Sequence, residues 1–449
     1  MPPHAAALDL PERSGTFWLQ FDGLPGQPAP ALQTDTLRFE SLAALTEHAL
    51  RERPETRAAW LAIQAEAARV DAETAANWPT LIGQLGYNHS RSLTSAGTTA
   101  PTLHRYGPSL SLAYVLYDFG VRAASIDAQR YLLIASLLNN NRVLQDVIAE
   151  VEAAYYALLR VRAQVDALTQ LEISLRASLD SVEVRLQGGL VSRADQLRAR
   201  AALAEAEVAR LTAERDQAKA EAALKQTAGI EQTRRLVLDW KTAPPTAEDA
   251  ANLLAELLSE AQRQRPDLQA LQAAVASANA EAERARAARW PTLALAGNAG
   301  RTYFLEENRD PSTSYNIGLN LSVALFDGGR LEAEARTAQR DAERLQAEVG
   351  TQRNQIARAV TEAYHDVRHA QAQREGVMIQ FDSASESAKA AEARYTAGVG
   401  SLLELLTAQA ALARAQQSAA EADSEWLAAY SRLNHAVGRL PAASSASQP

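Results

Sequence analysis

Tyr315-Asn316-Ile317-Gly318-Leu319-Asn320-Leu321-Ser322-Val323-Ala324-Leu325-Phe326-Asp327-Gly328-Gly329 is the stretch on which the reading of this chain turns. Tyr315, Ile317, Leu319, Leu321, Val323 and Leu325 alternate with Asn316, Gly318, Asn320, Ser322 and Ala324. A period of two with one apolar and one polar face predicts a β-strand through Leu325. Asp327 closes it and stands where a side chain caps the helix that follows. No proline then interrupts the chain before Leu440.

Working outward, the chain proves to be a duplicate of itself. Arg53-Pro54 returns as Arg265-Pro266 and Trp78-Pro79-Thr80-Leu81 as Trp290-Pro291-Thr292-Leu293, each 212 positions later. Beyond the strands the offset is 209: Tyr117-Asp118 to Phe326-Asp327, Ala154-Tyr155 to Ala363-Tyr364, Gly189 to Gly398, Ser192 to Ser401 and Gly229 to Gly438. An offset held over more than a hundred residues marks a tandem structural repeat.

Each copy reads alike. A helix spans roughly 40–77 in the first and 246–289 in the second. Trp-Pro ends both, because proline pushes the residue before it out of the helical region. Two alternating segments follow: Leu81, Leu85 and Tyr87 against Gln84, Gly86 and Asn88, then Leu110, Leu112, Tyr114 and Leu116 against Ser109, Ser111 and Ala113. Their second-copy equivalents begin with Leu293 and Leu295 and end in the strand quoted above. The outer loops are placed at 90–107 and 306–314, with Tyr87, Tyr106, Tyr114, Tyr117, Tyr303, Phe304, Tyr315 and Phe326 on strands or near their ends, as interface belts require. The strand-to-helix junctions are Asp118 with Gly120 and Asp327 with Gly329. A proline-free helix from Phe119 to about Gln187 would run about 100 Å. It breaks at Gly188-Gly189, with Gly398-Val399-Gly400 as its counterpart. Glycine there supplies the left-handed conformation that turns the chain back. The division is therefore 1–39 as an N-terminal segment, 40–230 as repeat 1, 231–245 as a linker, 246–440 as repeat 2 and 441–449 as a polar tail.

Composition agrees with long helices. Aromatics are 6% of the 449 residues, and much of the 47% hydrophobic content is alanine. Broad shallow contacts between antiparallel helices fit that mixture better than one thick core. The net charge of −9 comes from interspersed acids and bases, the pattern of solvated helix faces. No basic stripe with aromatics is present, so nucleic acid is not expected as a partner. There is no cysteine, which removes disulfides, thiolate metal sites, thiol catalysis and a lipidated cysteine from this chain. The seven histidines are scattered, with no metal-ligand spacing such as HExxH, and no GxSxG or phosphate-binding loop occurs. No enzyme, metal or cofactor is expected. No apolar run reaches the length of a spanning helix. The start, Met1 to Leu10, also lacks a charged region followed by an apolar one, and the reading adopted is that the numbering begins near the mature chain or that the start codon is misplaced.

Four strands with one apolar and one polar face cannot close a membrane barrel, which needs at least about eight. Several copies must complete it. Two would give eight strands and three twelve; the sequence strictly favours neither, and long helices around a wide lumen fit three better. The competing readings are a small soluble sheet on a helical rod, acting as a coiled-coil interaction protein, and a periplasmic adaptor built on helical hairpins.

From about Thr36 to Leu440 the chain resembles the TolC-like outer-membrane efflux proteins. The resemblance rests on Trp-Pro-Thr-Leu before a strand and on the junctions Leu-Tyr-Asp-Phe-Gly and Leu-Phe-Asp-Gly-Gly. It rests also on the tip motif Arg394-Tyr395-Thr396-Ala397-Gly398-Val399-Gly400-Ser401-Leu402-Leu403-Glu404-Leu405-Leu406-Thr407-Ala408. It implies a fold that is mainly α with membrane β, the helical hairpins forming a tunnel and four strands per protomer joining a trimeric twelve-stranded barrel. It implies a homotrimer in outer-membrane lipid that extends into the periplasm. An equatorial belt would come from the N-terminal segment, the 231–245 linker and the tail. The partners it implies are a membrane-fusion adaptor and an inner-membrane pump of RND or ABC type, in efflux or type I secretion. Asp195, Glu404 and Tyr395 match gate positions at the tips, the two acids as a ring at the constriction. Thr407 stands where a second acid often sits, and Gly400 and Ala194 where others carry larger polar groups, which implies a looser gate. Gly189, Ser192, Gly398, Gly400 and Ser401 match the turns that meet the adaptor. Against these stand plainer readings: Glu404 as a solvated helix residue, and the glycines and serines as ordinary turn chemistry.

Overall fold

A computed structural model of the chain describes residues 36–91, 99, 102–238, 253–305 and 309–439. The expectations for the first 35 residues, the Pro244-Pro245 part of the linker and the 441–449 tail lie outside the described residues, as do 92–98 and 306–308 of the outer loops.

Repeat 1 starts with β1 (Thr36–Phe39), α1 (Leu42–Glu52) and α2 (Pro54–Ala75). One helix over 40–77 was the expectation, and the structure corrects it. Arg53, ahead of Pro54, sits in extended backbone at φ −70° and ψ 133°, so the helix stops and restarts with proline in its first turn. The second copy repeats the correction: α5 (Leu254–Gln264) and α6 (Pro266–Ala287) flank Arg265 at ψ 118°. The rule that ends both segments at Trp-Pro also breaks them at Arg-Pro. Each of these arginines then folds back on a neighbouring acid. Arg53 meets Glu55 at 3.2 Å and Glu150 at 2.5 Å, while Arg265 clasps both carboxylate oxygens of Asp267 at 2.9 and 2.6 Å.

Next come β2 (Thr80–Ser90) and β3 (Leu103–Tyr117), then α3 (Val121–Gln187), α4 (Arg193–Thr227) and β4 (Arg235–Leu238). In the second copy, β5 (Thr292–Phe304) and β6 (Ser312–Ser322) lead to α7 (Arg330–Thr396) and α8 (Leu402–Val437). At 67 residues each, α3 and α7 are about 100 Å long. They are held by small side chains at close helix contacts, such as Ala128, Ala199, Ala206 and Ala213 in one hairpin and Ala335, Ala391, Ala413 and Ala422 in the other. Larger side chains gather at two places near mid-length. Tyr155 and Leu158 of α3 pack with Leu45 of α1, Leu224 of α4 and Leu236 of β4. Ile356 and Val360 of α7 pack with Leu257 of α5, Leu268 of α6 and Trp426 of α8. Beside the first cluster, β1 and β4 pair in parallel, Thr36 opposite Arg235 and Phe39 opposite Leu238.

The remaining strands make one antiparallel sheet in the order β2-β3-β5-β6. The two hairpins join through β3 and β5, with Leu110 opposite Ala299, Ala113 opposite Ala296 and a bulge between Val115 and Tyr117. β6 ends at Ser322, opposite Thr292, so Val323 and Leu325 fall outside the strand predicted to contain them. The reason is pairing: β5 begins at Thr292, and beyond it β6 has nothing to bond to. β3 begins at Leu103 and β6 at Ser312, which shortens both expected outer loops. No described helix is long and apolar enough to cross a membrane.

Candidate functional site

The sheet sorts most of its residues by polarity, with Ile82 and Phe304 on the polar face and Arg301 on the apolar one among the exceptions. Register places Leu81, Leu85, Leu110, Leu112, Leu295, Ile317, Leu319 and Leu321 on one face. Gln84, Asn88, Ser109, Ser111, Asn298, Asn316 and Asn320 share the other. Nothing among the described residues covers the apolar face: Leu85 is 82% exposed, Ile317 68% and Leu321 69%. An uncovered apolar face of this size marks contact with lipid or another chain. Toward the end far from the helices, Tyr106 stacks on Tyr303 with ring centroids 5.4 Å apart, and Tyr87 lies opposite Tyr106. Amphipathic rings at that level suit a membrane–water boundary. The polar face carries amides and hydroxyls, with Arg105 as its one charged side chain among the described strand residues.

At the junctions the aspartates bind helix-start amides from two residues before the cap position. Asp118 accepts from the Gly120 amide at 3.3 Å and the Arg122 amide at 3.1 Å. Asp327 does the same for Gly329 at 2.9 Å and Leu331 at 2.8 Å. The helix caps proper are Gly120 and Gly329, both left-handed, at φ 98° and 85°. In repeat 2 the residue before that cap is Gly328 at φ 69°; in repeat 1 it is Phe119 at φ 53°. A bulky side chain there is strained. Phe119 is wedged edge-on to Tyr117 at 4.7 Å and stacked on Trp290 at 5.8 Å, which holds it in place.

At both tips the helix ends in the same hydrogen-bonded turn. The Gly189 amide donates to the Leu186 carbonyl at 3.0 Å and the Leu190 amide to Arg185 at 2.9 Å. Gly398 and Val399 repeat this on Tyr395 at 3.1 Å and Arg394 at 3.0 Å. Glycine is required at the left-handed position, φ 66° in one tip and 76° in the other. Gly400 has a different constraint. A Cβ there would stand 2.9 Å from the Tyr395 amide nitrogen and 3.0 Å from the Arg394 carbonyl carbon, so the turn is too tight for any side chain.

Ser192 and Ser401 start the returning helices, and each accepts the amide three residues on, Asp195 at 3.2 Å and Glu404 at 3.1 Å. The two acids then part company. Asp195 reaches back to the Ser192 hydroxyl at 2.7 Å and amide at 3.2 Å, completing a capping box. The Ser192 hydroxyl and amide hold its carboxyl below the usual aspartate range. Glu404 closes no such box. Its carboxylate lies 3.4 Å from the Arg394 guanidinium and stays 44% exposed.

Tyr395 is buried among Val182, Ala199, Leu402 and Leu405. Its hydroxyl is buried with no hydrogen-bond partner. What touches it is Arg185, whose guanidinium lies 4.6 Å from the ring centroid and donates to the Tyr395 carbonyl at 3.3 Å. Arg185 thus ties the first tip to the second. Sequence reasoning passed over it, although Arg185 and Arg394 are equivalent by the 209-residue offset, just before each break.

A family model described as outer membrane efflux protein matches residues 45–230 and 257–439, one stretch in each repeat. Protein CyaE of Bordetella pertussis is 32% identical over 403 residues, covering 87% of this chain and 84% of that protein. The alkaline protease secretion protein AprF of Pseudomonas aeruginosa is 26% identical over 390 residues, covering 80% and 77%. The crystal structure of the outer membrane protein VceC from Vibrio cholerae superimposes with a TM-score of 0.73 over 89% of this chain and 96% of that one, at 19% identity.

Proposed function

The chain belongs to the outer membrane efflux protein family and is an outer-membrane channel, and from that premise we propose how it is closed, gated and coupled. Three copies close one barrel of twelve strands, and their helical hairpins form the tunnel beneath it. The observation that carries this reading is the open sheet: four strands, an apolar face uncovered and the edges of β2 and β6 unpartnered among the described residues. Lipid tolerates no unpaired sheet edge, so β2 of one copy must meet β6 of the next.

The polar strand face then lines the exit. Amides and hydroxyls offer hydrogen bonds to water and, with little fixed charge, hold no cargo tightly. Selection falls to the other end. There, three Glu404 carboxylates around the axis form a cation-attracting collar, with Asp195 bracing the adjoining turn. Tyr395 and Arg185 lock the two tips of one chain together. The Gly-Ser turns at 189–192 and 398–401 present the surface that a periplasmic adaptor reads. Members of the family work with adaptors and inner-membrane pumps. For this chain we infer a pump of RND or ABC type, serving efflux or type I secretion, a reading that the similarity to the protease secretion protein AprF supports.

The test is fractionation of expressing cells, followed by mass determination of the detergent-extracted particle. The expected result is an outer-membrane particle of three times the 48.4 kDa chain mass. A soluble monomer or dimer would sink the barrel, and the sheet would have to be the cap of a helical rod.

A further inference from the structure

The seven histidines look scattered in sequence, yet the fold brings two of them together. His89 near the end of β2 and His104 near the start of β3 are direct cross-strand partners. Their ring centroids are 4.4 Å apart, and their Nδ1 atoms 3.1 Å apart. The Tyr87 hydroxyl lies 2.7 Å from the same Nδ1 of His104. All three side chains occupy the apolar face of the sheet, and the histidines sit two register positions beyond Tyr87 and Tyr106 at the end far from the helices. That places them on the outward side of the wall, just past the aromatic level.

We propose that His89 and His104 form a binding site for a borderline transition-metal dication of the Zn2+, Cu2+ or Ni2+ class at the outer end of this hairpin. The spacing carries the argument. Two imidazole nitrogens bound at about 2.0–2.1 Å to one ion, at angles between square and tetrahedral, stand roughly 2.9–3.4 Å apart. The 3.1 Å observed falls inside that span. The same distance suits an N–H···N hydrogen bond when one Nδ1 is protonated; with both deprotonated toward each other the two lone pairs are free for one cation. A neutral imidazole Nδ1 carries either one proton or one lone pair, whereas His104 Nδ1 faces both the Tyr87 hydroxyl and His89 Nδ1. A cation shared by the two nitrogens uses both lone pairs at once, and the Tyr87 hydroxyl then offers its oxygen to the ion or turns aside. Imidazole donors select the borderline dications over Ca2+ and Mg2+, which prefer oxygen. Two protein ligands leave the remaining positions to water.

The site lies within one hairpin of one chain, so it does not depend on the cargo, the adaptor or the number of copies. The chain has another close histidine pair in sequence, His365 and His369, exposed one turn apart on α7. The test therefore uses detergent-purified protein without a histidine tag and carrying His365→Gln and His369→Gln, titrated calorimetrically with Zn2+ alone. Binding of one Zn2+ per chain at this hairpin is expected, weakened more than about tenfold by His89→Gln or His104→Gln, since even loss of a supporting partner costs roughly that much. Ca2+ should give no such heat. An isotherm unchanged in both variants overturns the site. A second measurement leaves the hairpin intact: Zn2+ should shield His89 and His104 from modification by diethyl pyrocarbonate, read by mass spectrometry. Equal modification with and without Zn2+ also overturns the proposal.

Discussion

At the α3–α4 tip, the acid after the break is bound by the start of its own helix; at the α7–α8 tip, the equivalent acid is not. Asp195 and Glu404 differ by one methylene and share an offset of 209, yet only Asp195 closes a capping box. The tyrosine differs too. Tyr395 anchors the second tip, while the first has Leu186, half-buried, in the same place. Duplication has thus produced one braced turn and one packed turn with a freer carboxylate. The lesson is that a motif repeated in sequence need not repeat its role.

The sharpest way to break this contrast is Tyr395→Ala. Removing a buried aromatic ring from the Val182, Ala199, Leu402 and Leu405 cluster should cost about 3–5 kcal/mol locally, read as faster amide exchange through both tips. Leu186→Ala should cost clearly less. Tyr395→Phe should be close to neutral in stability, because the lost hydroxyl has no partner to leave behind. A large effect of Tyr395→Phe would show that the hydroxyl finds a partner once the copies assemble.

Gly400→Ala ranks next. The Cβ must push against the Arg394 and Tyr395 backbone, so about 1–3 kcal/mol should be lost and the second turn displaced, by thermal unfolding and exchange. The residue at the same place in the first tip is Val191, and Val191→Ala should be mild. Asp195→Asn should cost about 1 kcal/mol through the capping box. Glu404→Gln should leave stability nearly untouched and instead lower the cation preference of single-channel conductance. The Asp195 carboxyl is held below its ordinary value, so its stabilisation is present above the unfolded value of about 3.9 and is lost as pH falls through the lower folded one. Exchange at the first tip should therefore accelerate below about pH 4, and this should vanish in Asp195→Asn.

The smallest effect belongs to the junctions. Phe119→Gly relieves roughly 1–2 kcal/mol of left-handed strain and forfeits ring contacts of about the same size, so melting should move little. Gly328→Ala, which adds strain with no compensating ring, should lower it by more.

Much of this architecture was legible in the residues. Alternation around Leu319 marked a strand, Trp-Pro and paired glycines marked ends, and the constant offset disclosed the repeat. Boundaries that depend on partners were not. Whether β6 reaches Leu325 depends on where β5 starts, and no local pattern records that. The four-residue pairing of Thr36–Phe39 with Arg235–Leu238 joins segments too short and too distant to announce themselves. The break at Arg53-Pro54 was available from the rule already applied at Trp78-Pro79, and an otherwise continuous helical pattern hid it. At the tips the residue types gave the turns correctly. Their unequal use turns on whether a carboxylate reaches back to its own helix start and whether an arginine lies over a ring, which only the fold decides.

The unpaired edges of β2 and β6 also fix an order of events in biogenesis. A lone subunit entering hydrocarbon would carry two rows of unmatched amides and carbonyls, each costing several kcal/mol. If several copies close the barrel as proposed, ring closure precedes or accompanies insertion, and the bilayer holds no reserve of resident single subunits. Two tagged forms made in the same cell should share particles, whereas the same two forms, purified apart and reconstituted into one set of vesicles, should never exchange.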